Sequence, residues 1–350
     1  MEPVYDLRSD TVTRPTPAMK RAMMEAPLGD DVLGDDPTVK RLEAMIAGLT
    51  GKERGLFFPS GTQANQTAVH VHAGPGHEAL IERRSHIFNY EAGAPAALSG
   101  VQLHPVDTAD GALRPADLED RVRPRDEHFA QTRLVCLENT HNGHGGRIHP
   151  IADMEAVSAW ARRRGLAVHL DGARLFNAVV ASGVAVDRWA ACADTVSLCL
   201  SKGLGAPVGT CLVGDAETIE RARWVRKRLG GGMRQAGILA AAGIHALERH
   251  VDRLAEDHAV AGEIAEGLSA VEGLRVDLER VETNIVLVEV DAAGVAAADL
   301  VRAAEARGVR TLDISPTRIR LVTHLDVPPD AGREVPRRFG EALRSLGRAG

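Results

Sequence analysis

Two short apolar segments near the middle of the chain each end in a polar residue that is followed by glycine. Segment 167–170 precedes Asp171 and Gly172, and segment 195–200 precedes Ser201, Lys202 and Gly203. Short apolar runs bounded by such turns are typical of strands buried on both faces of a parallel sheet. Polar residues at the carboxyl ends of these strands face the crevice in which α/β folds bind ligands. The two segments therefore predict an α/β fold with a site near Asp171 and Lys202.

Apolar runs and amphipathic segments alternate over most of the chain. In segment 38–50 apolar residues recur at helical spacing, with Thr38 as a possible cap and Gly51 as a stop. The other strands predicted in the first part are 55–59, 79–82, 133–137 and 210–213, and the other helices are 64–73 and 153–164. An alanine-rich helical region, 236–268, is followed by predicted strands 274–278, 284–290 and 319–322 and by helices 296–307 and 331–346. We expect a large domain with a mostly parallel sheet over residues 1–250, including an N-terminal arm, and a small C-terminal α/β domain over 251–350.

Composition narrows the class of protein. The chain has 350 residues, 44% hydrophobic residues and a formal charge of -6, so no basic surplus favours nucleic acid or an anionic membrane as a partner. The N-terminal residues lack the pattern of a secretory signal, and no apolar run approaches the roughly 20 residues of a membrane span. The four cysteines have no CxxC spacing. We expect a cytoplasmic protein with reduced thiols.

Taken singly, neither Lys202 nor Asp171 requires a functional role. Lys202 could be a surface lysine in a turn, and Asp171 could cap the turn that follows it. Together they suit pyridoxal phosphate, which needs an amine for a Schiff base and a carboxylate beside its ring nitrogen. Burial at the end of a strand can lower the pKa of an amine and make it nucleophilic. A carboxylate keeps the ring nitrogen protonated, so that the ring accepts electrons.

Two glycine-containing segments are candidates for binding the phosphate. Ser60, Gly61 and Thr62 precede a predicted helix, whose free backbone N–H groups and dipole suit an anion, although many helices begin in this way. Segment 230–234, with Lys227 just upstream and Arg234 at its end, supplies flexible backbone and cations, or is a solvated basic loop.

Three histidines raise a metal site as an alternative. His141, His144 and His149 lie in a glycine-rich segment, but no cysteine or acidic residue stands at a matching interval. We therefore predict no metal.

Eight motifs resemble those of the threonine aldolases. They are DLRSDTVTRP (6–15), GDDPT (34–38), FPSGTQANQ (58–66), LENTHN (137–142), HLDGAR (169–174), LSKGLGAPVG (200–209), GGGMRQ (230–235) and RLVTH (320–324). Threonine aldolases are pyridoxal phosphate enzymes of the β-eliminating lyase family, with the aspartate aminotransferase fold (fold type I), and the resemblance covers nearly the whole chain.

The resemblance implies a role for each matching residue. The residues implied to bind the cofactor are Lys202 as the Schiff-base lysine, Asp171 at the pyridine nitrogen, Ser60, Gly61 and Thr62 at the phosphate, His86 over the ring, Arg174, and Lys227 with Arg234 near the phosphate of a neighbouring subunit. Those implied to bind the substrate are Ser9, Arg174 and Arg320 at its carboxylate and His128 at its β-hydroxyl. Lys202, His86 and His128 are the implied catalytic residues.

The activity implied by the resemblance is the cleavage of L-threonine, L-allo-threonine and related β-hydroxy-α-amino acids to glycine and an aldehyde. It also implies a homotetramer, a dimer of dimers with sites formed between subunits. The lysine and aspartate alone would equally serve an aminotransferase, a racemase, another lyase of fold type I or an aldolase for phenylserine. A binding or regulatory module on the same fold is a further alternative. Leu33 stands where the family usually has tyrosine, so the substrate range is predicted to differ.

Overall fold

The computed structural model describes residues 3–347. Its strands are β1 (Tyr5–Asp6), β2 (Arg54–Phe58), β3 (His77–Glu82), β4 (Gln102–Val106), β5 (Gln131–Glu138), β6 (Ala167–Asp171), β7 (Thr195–Cys199), β8 (Thr210–Gly214), β9 (Leu274–Arg275), β10 (Ile285–Val290), β11 (Val309–Arg310), β12 (Leu312–Ser315) and β13 (Arg318–Val322). Its α-helices are α1 (Pro17–Met24), α2 (Pro37–Thr50), α3 (Gly61–His72), α4 (His86–Asn89), α5 (Ala94–Ser99), α6 (Pro115–Leu118), α7 (Ile151–Arg163), α8 (Leu175–Ser182), α9 (Val186–Ala190), α10 (Ala216–Arg228), α11 (Gly237–Arg249), α12 (Leu254–Ser269), α13 (Ala297–Glu305) and α14 (Ala331–Leu346). Within the described residues, no helix has both the length and the apolar character needed to cross a membrane.

The largest sheet has the strand order β2-β8-β7-β6-β5-β3-β4. Strands β4, β3, β5, β6 and β7 pair in parallel, whereas β8 is antiparallel to both of its neighbours. Every residue of β7 and β8 is buried, because helices cover both faces of the sheet. The predicted α/β fold with a mostly parallel sheet is confirmed.

Local sequence explains where helix α2 begins and ends. Asp36 is its N-cap, and its side chain accepts hydrogen bonds from the backbone N–H groups of Thr38 and Val39. The prediction that Thr38 is the cap was therefore wrong by two positions. Gly51 ends the helix at a φ of 64°, a backbone conformation that glycine adopts without steric cost.

The C-terminal part has its own buried cluster. An antiparallel sheet, β12-β13-β10-β9, packs with apolar residues of α12, α13 and α14. The N-terminal residues Tyr5 and Leu7 lie in the same cluster, because β1 pairs in parallel with β11. The division at residue 250 stays a prediction, but the arm that was grouped with the large domain packs against the C-terminal one.

The sequence prediction was wrong for two strands with weak apolar patterns, β4 and β9. Strand β4 was not predicted, since His104 and Pro105 interrupt its apolar pattern, and it forms the edge of the sheet, where proline is tolerated. The predicted strand 274–278 extends only over Leu274–Arg275, and Leu278 begins a 3-10 turn instead.

Candidate functional site

The carboxyl ends of three strands bring the candidate residues to one edge of the large sheet. Asp171 is the last residue of β6, Lys202 lies in the loop that follows β7, and Ser60 follows β2. Because β6 and β7 are parallel neighbours, with Asp171 opposite Ser197, the aspartate and the lysine loop meet at the same edge.

Asn65 fixes the buried carboxylate of Asp171. Its Nδ2 donates to Asp171 Oδ2 at 2.9 Å and to Glu91 Oε1 at 2.8 Å. Its Oδ1 accepts from Ser197 Oγ at 2.7 Å, so the amide is fixed from both ends. The backbone N–H of Ala173 donates to the other oxygen of Asp171 at 3.0 Å. The carboxylate is thus held in one orientation before any ligand binds.

His86 lies close to this carboxylate at the start of the short helix α4. Its backbone N–H donates to Glu138 Oε2 at 2.6 Å, and its Nδ1 is 3.0 Å from Glu91 Oε1. One nitrogen or oxygen atom from each of His86, Glu91 and Asp171 lies within 4.8 Å of the others. Burial alone would lower the pKa of His86, but the hydrogen bond with Glu91 and the charges of Asp171 and Glu138 raise it above its ordinary value.

The N-terminus of α3 forms the candidate phosphate cradle. Ser60 is the N-cap, and its Oγ accepts from the backbone N–H of Gln63 at 3.2 Å. A Cβ on Gly61 would lie 2.8 Å from Cys199 Sγ at the end of β7, so only glycine allows the helix to begin this close to the sheet. The first-turn N–H groups of a helix start suit a phosphate.

Arg174 is buried and already paired. Its Nε and Nη2 donate to the two oxygens of Asp10, both at 2.7 Å. Burial would raise the pKa of Asp10, but the charge and hydrogen bonds of Arg174, helped by the charge of Lys202, lower it to about 2. Thr13 Oγ1 donates to the backbone oxygens of both Asp10 and Lys202 at 3.0 Å, so the lysine loop lies beside this pair. Of the two arginines predicted at the substrate carboxylate, Arg174 is thus largely occupied.

Arg320, in contrast, has no acidic residue within ion-pair distance among residues 3–347. Its Nη1 donates to Asn142 Oδ1 at 3.1 Å and its Nη2 to the backbone oxygen of Arg8 at 3.3 Å, while its Nε is buried without a partner. Burial, together with the charge of Arg174, lowers its pKa. Ser9 follows Arg8 directly, and Arg320 lines a cavity of about 170 Å³ with Tyr90 and Asn142. This guanidinium is available to an anion.

The buried polar groups fit pyridoxal phosphate. Asp171 offers a fixed carboxylate for a ring nitrogen, the start of α3 offers N–H groups for a phosphate, and Lys202 offers an amine in the loop that follows β7 at the same edge of the sheet. The group would supply an electron sink for a substrate bond that breaks at Cα.

Four of the predicted residues are not brought to this cluster within one chain. His128 lies on an outer loop with 78% of its side chain exposed, and its Nδ1 contacts Asp126 Oδ1 at 2.6 Å. Arg234 pairs with Asp30 at 3.1 Å, and Lys227 lines a surface groove with Val32. Leu33 is 75% exposed in the adjoining turn.

One contact links the loop between Lys227 and Arg234 to the candidate cofactor site. The Nε2 of Gln63, in the first turn of α3, donates to the backbone oxygen of Leu229 at 3.0 Å, so the loop between Lys227 and Arg234 borders the candidate phosphate cradle. The roles of His128, Lys227 and Arg234 stay predictions.

Sequence reasoning missed the residues that hold the site together. Asn65, Glu91, Asp10 and Asn142 had no predicted role, although all but Glu91 lie in the quoted motifs. A signal existed for Asn65, which lies one helical turn after Gly61 and therefore on the same face of α3. No local signal identifies Asp10 as the partner of Arg174.

Comparisons with known proteins agree with the geometry. The model of the β-eliminating lyase family matches residues 6–293. The low specificity L-threonine aldolase of Escherichia coli (strain K12) is 48% identical over 95% of this chain and 97% of its own length. The low-specificity L-threonine aldolase 1 of Arabidopsis thaliana is 45% identical over 91% and 90% of the two chains. Among solved structures, the threonine aldolase of Leishmania major superposes with a TM-score of 0.82, covering 98% of this chain and 99% of that one, at 23% identity.

The fold and the site define a pyridoxal phosphate-dependent lyase with the aspartate aminotransferase fold. Within that class, the chain belongs to the β-eliminating lyase family.

Proposed function

We propose that this protein is a low-specificity aldolase that cleaves L-threonine and L-allo-threonine, and related β-hydroxy-α-amino acids, to glycine and an aldehyde. The observation that carries the proposal is Arg320, a partly buried guanidinium that has no acidic residue within ion-pair distance among residues 3–347 and contacts the backbone oxygen of Arg8, next to Ser9. A bidentate cation at this place suits the α-carboxylate of an amino acid. The names of the relatives at 45–48% identity supply the substrate class.

In the proposed reaction, different residues of the chain bind the substrate and the cofactor. Arg320 and Ser9 would hold the substrate carboxylate and so select which bond at Cα is oriented for cleavage. Asp171 would hold the ring nitrogen of the cofactor, and the hydrogen bond from Asn65 keeps the carboxylate in place for this role. The bound cofactor supplies the electron sink.

A base must remove the proton of the β-hydroxyl. His86 is close to the cofactor residues, but its Nδ1 already contacts Glu91, and its raised pKa increases the fraction of molecules in which the imidazole already carries its second proton. We propose that His128, or a water held by His128 and His86, is the base. Because His128 is exposed in the single chain, this role requires that its loop is brought to a site by assembly.

The direct test is a retro-aldol assay of the purified holoenzyme with paired threo and erythro substrates. We expect glycine and acetaldehyde from both threonine and allo-threonine, without any ketoacid. No aldehyde from either substrate would reject the aldolase proposal. Turnover that requires a ketoacid would identify an aminotransferase instead.

A second prediction concerns substrate range. Replacing Leu33 with tyrosine is expected to change the ratio of activities on phenylserine and threonine on the order of tenfold, because a single group that reaches the substrate of a neighbouring subunit on assembly changes discrimination by about 1–3 kcal/mol. The measurement is kcat/KM over a panel of β-hydroxy amino acids. Leu98→Tyr is the matched control, since Leu98 is 52% exposed on the separate helix α5. Equal ratios in wild type and Leu33→Tyr would dismiss a role for this position.

We also propose a cytoplasmic homotetramer, arranged as a dimer of dimers. All four cysteines are buried free thiols, as expected in a reducing compartment. Trp224 is 72% exposed beside Lys227 and the turn that carries Leu33, an apolar surface that suits contact with a second copy. Light scattering of the holoenzyme measures the assembly.

A further inference from the structure

A cluster of three buried side chains lies next to Asn142, the residue that contacts Arg320 in the proposed site. Glu82 is the last residue of β3, His141 is the N-cap of a 3-10 turn, Asn142–His144, and His144 is the last residue of that turn. The Nε2 of His141 is 3.0 Å from Glu82 Oε2, and the Nε2 of His144 is 3.3 Å from Glu82 Oε1. The side chains are at most 4% exposed. Both imidazoles thus present the same nitrogen to one carboxylate.

The geometry differs from that of a simple hydrogen-bonded cluster. The Nε2 of His141 is close to the carboxylate but is not aligned for a hydrogen bond with it, and its Nδ1 is also buried without a partner. The two imidazole rings stand at 86° to each other with centroids 4.8 Å apart. Two ligand atoms bound tetrahedrally to one ion at about 2.0–2.1 Å lie about 3.3 Å apart, which is close to the observed separations.

Surrounding residues hold the three groups in place. Thr108 Oγ1 donates to Glu82 Oε1 at 3.2 Å, and the backbone N–H of Arg84 donates to Glu82 Oε2. Gly111, at a φ of 88°, covers both rings, and a Cβ there would lie 2.9 Å from His144 Cδ2 and 3.0 Å from His141 Cγ. Hydrogen bonds from outside that orient the ligands are typical of protein metal sites.

We propose that Glu82, His141 and His144 bind one divalent transition-metal ion, with Zn²⁺ as the best match. Two imidazole nitrogens and a carboxylate suit Zn²⁺ or Co²⁺ better than Mg²⁺ or Ca²⁺, which prefer oxygen ligands. The spacing of the histidines raised a metal site only as an alternative, and no metal was predicted, because the acidic ligand Glu82 comes from a strand distant in sequence. His149, the third histidine of the glycine-rich segment, is not a ligand, since its Nε2 contacts the backbone oxygen of Leu113.

The ion would act as a structural link. It would join the end of β3 to the turn that carries Asn142, whose Oδ1 accepts hydrogen bonds from Arg320 at 3.1 Å and from Arg174 at 3.5 Å. The metal would thereby position the proposed carboxylate site without touching the substrate. The inference depends on this cluster alone and stands whichever substrate the enzyme cleaves.

The test is a titration of chelator-treated holoenzyme, kept saturated with pyridoxal phosphate, with Co²⁺. We expect one ion per chain and the visible d–d absorbance of cobalt bound to nitrogen and oxygen ligands. Glu82→Gln and His144→Gln are expected to abolish the band, whereas His245→Gln, a matched change on α11, is expected to retain it. Zn²⁺ in about 100-fold excess over its Kd is expected to raise the Tm of the wild-type holoenzyme by a few degrees.

Two results would overturn the proposal. One is the absence of a saturable band in the wild type, and the other is a band that persists in both Glu82→Gln and His144→Gln. If either variant fails to fold, the Tm of the wild-type holoenzyme with and without excess Zn²⁺ decides the question. A cluster that has no affinity for metal would leave this Tm unchanged, and that result would reject the proposal.

Discussion

Lys202→Ala is expected to reduce aldehyde release from threonine by about 10⁴-fold or more, because no other amine replaces the one that the cofactor chemistry needs. The backbone oxygen of Lys202 accepts a hydrogen bond from Thr13 Oγ1 at 3.0 Å, so the loop is held independently of the side chain and the variant should fold. Single-turnover assays measure the rate. The visible absorbance band of lysine-bound pyridoxal phosphate should disappear in the same variant.

The control for this prediction is Lys40→Ala, which removes an exposed lysine from α2 and should change neither the rate nor the band. Aldehyde release by Lys202→Ala within tenfold of the wild-type rate would contradict the assignment of this lysine. Loss of the band together with a wild-type rate would contradict it equally, since the amine would then bind the cofactor without taking part in the reaction.

Asp10→Ala is expected to destabilise the protein by about 3–5 kcal/mol, because it leaves the buried guanidinium of Arg174 without its counter-charge. Both residues are buried, and the pair is bidentate at 2.7 Å. Urea unfolding of the holoenzyme measures the free energy. The control is Asp107→Ala, which removes an exposed partner of Arg83 and should have little effect.

The effect of Asp10→Ala should also depend on pH. The pKa of Asp10 is about 2 in the folded protein and 3.8 in its ordinary environment, so its charge stabilises the fold above pH 3.8 and this contribution is lost as the pH falls towards 2. The difference between wild type and Asp10→Ala should therefore shrink over that interval. A difference that stays constant from pH 5 to pH 2 would show that the lost contact is not electrostatic.

Most regular elements could be predicted where a local pattern and a local stop coincide. Helix α2 has helical apolar spacing and a glycine stop, and β6 and β7 have short apolar runs ended by polar residues. Strand β12 has every residue exposed and carries no such pattern. Its pairing with β13 comes from tertiary contact.

The same distinction applies to the site. Asp171, Lys202 and Ser60 were identifiable because each ends or follows an apolar strand, and the edge at which these strands end brings them together. Arg174 was predicted at the substrate carboxylate, but the fold pairs it with Asp10 and leaves Arg320 without an acidic partner in the part of the chain that the structure describes. Which arginine remains available depends on charges distant in sequence.

The sequence by itself determined the α/β fold, the strand ends that carry the chemistry and the cofactor they suit, because periodicity and turn residues act over a few positions. Only the tertiary structure decided which side chains fix those groups. Asn65 on Asp171, Asp10 on Arg174 and Glu82 beside His141 are contacts between distant segments, and no spacing in the chain records them. Such contacts are set by how strands and helices pack, so the two strand ends near Asp171 and Lys202 become a defined site only in the folded protein.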